Sequence, residues 1–91
     1  MITLSEAFRL CDIRDDETVI LRREGTQAAG WHGGKHFVSS RAIRNKLDMK
    51  KVFVHKISVY QSTYDGEFVG YVFLVRGVGL SEDVLNRLEW R

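Results

Sequence analysis

Apolar side chains recur at Leu4, Ala7, Phe8 and Cys11, steps of three and four that mark one face of a helix over about residues 4–11. Thr3 and Glu6 stand at the spacing of a capping box, so Thr3 is the expected N-cap. The acidic run Asp15–Asp16–Glu17 reads as a turn. The pattern then changes period. Residues 18–23, TVILRR, are β-branched and apolar before becoming charged, which predicts a strand ending in Arg22 and Arg23 at an edge or the mouth of a groove. Ser39 and Ser40 are N-cap candidates for a short helix over about residues 40–47, with Ala42, Ile43 and Leu47 facing inward. Arg44 and Asp48 have ion-pair spacing on that helix.

The strongest β signal covers residues 51–75. Two apolar runs flank Tyr64–Asp65–Gly66, and the Asp–Gly pair predicts a hairpin turn. Strict alternation puts Phe53, His55, Ile57 and Val59 on one face of the first strand. Val52, Val54, Lys56, Ser58 and Tyr60 fall on the other. In the second strand, Val69, Tyr71, Phe73 and Val75 share a face, with Phe68, Val72 and Leu74 opposite. A strand apolar on both faces is expected to be covered twice, and a symmetry partner is one such cover, which makes a homodimer an expectation. Gly77 and Gly79 end the run. Ser81, Glu82 and Asp83 open a last helix, with Val84, Leu85 and Leu88 as its apolar stripe and Trp90 near its end.

These elements predict an α+β fold: a small antiparallel sheet built around the C-terminal-half hairpin, with short helices packed on one face. The 91 residues suit a single compact domain. Its irregular part is a Gly-rich loop or flexible hairpin at about 25–36, where Gly25, Gly30, Gly33 and Gly34 crowd around Trp31. In the hairpin version, Lys35, Phe37 and Val38 belong to the returning strand.

Composition narrows the function classes. The net charge of +2 is unevenly spread. Residues 1–24 sum to −2, residues 25–56 to +6 and residues 57–91 to −2. The basic middle suits an acidic protein surface or a nucleic acid. Cys11 is the only cysteine, so no internal disulfide forms, and the acidic N-terminal residues do not resemble an export signal. Both point to the cytoplasm. No apolar run is long enough to predict a membrane span.

The leading expectation is a noncatalytic protein-binding or complex-regulating module. Trp31, His32, Lys35 and Phe37 form its contact site, with Trp31 as the aromatic anchor. The alternative is direct DNA or RNA binding through the basic residues of 35–56. Arg22, Arg23, Arg41, Arg44, Lys46, Lys50 and Lys51 would contact phosphates, and Trp31, His36 and Phe37 would stack on bases. A small metal-dependent or acid–base enzyme is the third reading. His32, His36 and His55 lack the spacing of a zinc motif, and no nucleophile stands in a specific relation to a histidine. The stretch GTQAAGWHGGK is neither a Walker A nor a dinucleotide motif. No catalytic residue, metal ligand or cofactor is therefore assigned.

Overall fold

Thr3 caps the first helix as its spacing predicts. Its hydroxyl accepts from the Glu6 backbone N–H at 3.2 Å, and Glu6 accepts in return from the Thr3 N–H at 3.1 Å. The computed structural model describes residues 1–25 and 34–88. They form, in chain order, β1 (Ile2–Thr3), α1 (Leu4–Leu10), β2 (Thr18–Arg23), β3 (Lys35–Ser39), α2 (Ser40–Lys46), β4 (Val52–Gln61), β5 (Phe68–Gly77) and α3 (Glu82–Leu88). The α+β fold and its helices on one face are as expected. Of the two serines offered as caps, Ser39 does the capping, accepting from the Ala42 N–H at 3.0 Å. Ser40 is fully buried, and its hydroxyl donates to the Arg14 carbonyl.

The sheet has the order β1-β4-β5-β2-β3. The C-terminal pair β4–β5 is the expected antiparallel hairpin. Its turn closes with the Ser62 N–H donating to the Glu67 carbonyl at 2.8 Å, and Gly66 sits at φ 74°, the left-handed region that glycine enters without steric cost. β2 and β3 form a second antiparallel pair. The two pairs join through a parallel ladder between β2 and β5, which makes the sheet mixed. β1 adds to the outer side of β4 through Ile2 and Thr3 alone.

One face of the sheet carries Val19, Leu21, Val38, Val52, Val54, Phe73 and Val75. These side chains form a single core with Leu4, Ala7 and Phe8 of α1, Ile43 of α2, and Leu85 and Leu88 of α3. Burying so many aliphatic groups between one sheet face and three short amphipathic helices is the main stabilising term. Cys11 caps α1 and packs partly against this core.

Strict alternation fails in β4. A bulge separates Val54, which pairs with Val75, from Lys56, which pairs with Leu74. The extra residue, His55, reverses the facing of everything after it. Ile57 and Val59 therefore share the helix side with Val52 and Val54, whereas Lys56, Ser58 and Tyr60 share the far side with Phe53. The side chain of His55 is 53% exposed, not the partly buried strand residue that alternation implies. A second irregularity between Tyr60 and Gln61 has a similar effect on β5 and sets the Phe68 ring against Tyr71, centroids 5.2 Å apart.

Candidate functional site

The far face of the sheet, away from the helices, gathers residues that are remote in sequence. The registers align Lys56 of β4 with Leu74 of β5, Leu74 with Arg22 of β2, and Arg22 with Lys35 of β3. Three of the four side chains in this transverse row are basic. The adjacent row runs Ser58, Val72, Ile20, Phe37, and the next begins with Tyr60 opposite Gly70. On the other side of the basic row, Arg76 stands opposite Phe53.

Two strands separate Phe37 from Tyr60, yet their rings meet edge to face with centroids 6.0 Å apart. The glycine opposite Tyr60 helps explain this. With no side chain at Gly70, the tyrosine ring has room to lean inward across the strands. A Cβ at Gly70 would sit only 3.3 Å from the Thr18 carbonyl. Ile20 and Val72 are buried on this same face, so the far face has a small apolar floor of its own. Lys35 Nζ lies 5.9 Å from the Tyr60 ring centroid, within cation–π range. The face thus combines half-buried aromatic rings with the positive charge of Arg22, Lys35, Lys56 and Arg76. Its acidic neighbour is Glu24, whose carboxylate lies 3.7 Å from both Arg76 Nε and His55 Nδ1.

Lys35 and Phe37, two of the residues expected at a contact site, therefore lie side by side on the far face with Arg22. Trp31 and His32 lie outside the described residues, as does Trp90. The remaining basic candidates are placed elsewhere. Arg23 aligns with Val75 on the helix side and pairs with Glu82 at 3.7 Å. Arg41 shares a shallow recess with Asp15, Asp16 and Ser39. Lys46 and Lys51 border a recess beside Leu80 and Val84, and Lys50 is an exposed turn residue.

Arg44 does not pair with Asp48. Its guanidinium binds Asp15, donates to the Ile13 carbonyl at 2.6 Å and covers the Phe8 ring, 5.4 Å from the centroid. It fastens α2 to the turn after α1. The basic middle of the chain is consequently divided by the sheet, with the α2 residues on one side and Lys35 and Lys56 on the other.

His36 points to the helix side, opposite in sense to its neighbours Lys35 and Phe37. It is 5% exposed, and its Nε2 lies 2.7 Å from Glu82 Oε2. This geometry fixes α3 against β3, and the buried imidazole is not placed to stack on a base. Among the described residues, no group of three His, Cys, Asp or Glu side chains is arranged to hold a metal ion. No helix among them is long and apolar enough to cross a membrane.

Glu6 and Cys11, both outside the far face, are displaced from their ordinary values. Hydrogen bonds from the Thr3 backbone and side chain hold the Glu6 carboxyl below the usual range. Burial pushes the Cys11 thiol up, which disfavours the reactive thiolate.

Comparison with protein-family models, curated proteins and solved structures found no match. The site rests on the geometry alone. Tyr60 and Arg76 are the members that reading the chain overlooks. Their signal is the hairpin register, which sets Arg76 opposite Phe53 before the bulge at His55 and Tyr60 opposite Gly70 after it.

Proposed function

We propose that this protein is a noncatalytic cytoplasmic binding module whose far sheet face takes single-stranded nucleic acid. The observation that carries this reading is the row Lys56–Leu74–Arg22–Lys35, flanked by Arg76 and by the Phe37–Tyr60 pair. Basic side chains from four strands supply contacts to phosphates, and the half-buried rings supply apolar surface for unpaired bases. A sheet face carrying aromatics is better suited to splayed bases than to the major groove of a duplex.

Fluorescence anisotropy with labelled oligo-dT, oligo-U and a duplex of equal length tests it. Binding of the single strands should weaken with salt, with a log–log slope of roughly −3 for four phosphate contacts at about 0.7 each. Lys35→Glu with Lys56→Glu should abolish it, and Arg41→Glu should leave it nearly unchanged. No binding at low salt would overturn the proposal. A pull-down that retains one protein partner after nuclease treatment would move the assignment to an acidic protein.

A further inference from the structure

We propose that the outer edge of β4, at residues 56–60, pairs with the same edge of a second copy in an antiparallel ladder centred on Ser58. β1 covers β4 only at Phe53 and Val54, and among the described residues no strand pairs beyond them on that side. Between the bulge at His55 and the irregularity at Gln61, Lys56, Ile57, Ser58, Val59 and Tyr60 run in regular register with β5. Such a stretch presents a row of main-chain donors and acceptors to any strand that matches it.

The side chains select another copy as that strand. A two-fold axis normal to the sheet at Ser58 sets Ile57 against Val59 on the helix side. These two are 36% and 53% exposed in the single chain. On the far side the axis sets the Lys56 ammonium against the Tyr60 ring. No like charges face each other, and apolar meets apolar at both related positions. The pairing would also make the two far faces continuous. It does not rest on the nucleic-acid reading, because it follows from the edge and its side-chain pattern alone. Five paired residues on each side form a small interface, so the dimer should dissociate on dilution.

Sedimentation equilibrium over a dilution series tests the assembly directly. The unmutated chain should move from the 10.5 kDa monomer toward twice that mass as concentration rises. Ile57→Lys with Val59→Lys opposes like charges across the axis and should leave only monomer. Ile57→Lys with Val59→Glu opposes unlike charges and should restore the dimer, and loss in both variants would overturn the Ser58-centred register. A second measurement needs neither charge variant. In a Cys11→Ser background, oxidised Ser58→Cys should give a disulfide-linked dimer and Thr63→Cys should not. A chain that is monomeric at every concentration, or a dimer indifferent to Ile57→Lys with Val59→Lys, would overturn the proposal.

Discussion

His36 Nε2 lies 2.7 Å from Glu82 Oε2, tying β3 to α3 across 46 positions of sequence. The imidazole N–H donates to the carboxylate where almost no water reaches the histidine. Removing the carboxylate takes a charged hydrogen-bond acceptor from a buried imidazole. Glu82→Ala should therefore cost about 1–3 kcal/mol. Thermal unfolding checks this, since each kcal/mol corresponds to roughly 4–8 °C in a domain of this size. Glu82→Gln keeps an acceptor and should lose less. Equal melting temperatures for all three chains would remove this contact from the account of stability.

Gly77 ends β5 against Val52. A Cβ there would stand 2.7 Å from the Lys51 carbonyl oxygen and 3.1 Å from Val52 Cα, both backbone atoms. Gly77→Ala must move the strand, and overpacking of this kind costs about 1–3 kcal/mol. Denaturant unfolding should show a lower midpoint with an unchanged slope.

The titration of Glu6 should register in stability. Its pKa is depressed in the folded state by the Thr3 hydrogen bonds. The stabilisation is then present above the unfolded carboxylate pKa and disappears as pH falls through the lower folded value. Thr3→Ala should flatten that acid limb while leaving the neutral-pH fold intact. Unfolding curves measured from neutral pH into the acid range compare the two chains.

Cys11 should be a slow nucleophile. Its thiol is pushed above the ordinary range by burial, so less thiolate is present at a given pH. Alkylation by iodoacetamide at mildly alkaline pH should be slower than for a short unstructured peptide containing the same residue. It should reach the peptide rate in denaturant.

The local elements were legible because their causes are local. Thr3 and Glu6 are three residues apart, Ser39 lies beside the helix it caps, and Asp65–Gly66 sits inside its own turn. What escaped depends on partners distant in sequence. Arg44 has Asp48 at helical spacing but binds Asp15, because the turn after α1 packs against α2 in the folded chain. The bulge at His55 has no residue signature in β4, yet it decides which side Lys56 and Tyr60 occupy. The far-face row is therefore invisible to alternation counted from Val52. His36, read beside Lys35 and Phe37 as a stacking residue, faces the opposite way by the same two-residue period.

The strand order β1-β4-β5-β2-β3 also sets a timetable for a chain made from its N-terminus. Among the described residues, β1 has only β4 as a neighbour, and β2 and β3, though able to pair together, join the rest of the sheet through β5. The hairpin that both flanks require is completed near Gly77. A ribosome-bound fragment ending after α2 holds Leu4, Val19 and Ile43 without β4 and β5, whose Val52, Val54, Phe73 and Val75 complete their core. This small fold should therefore assemble late, with two early segments docking on opposite sides of a template that is synthesised after them.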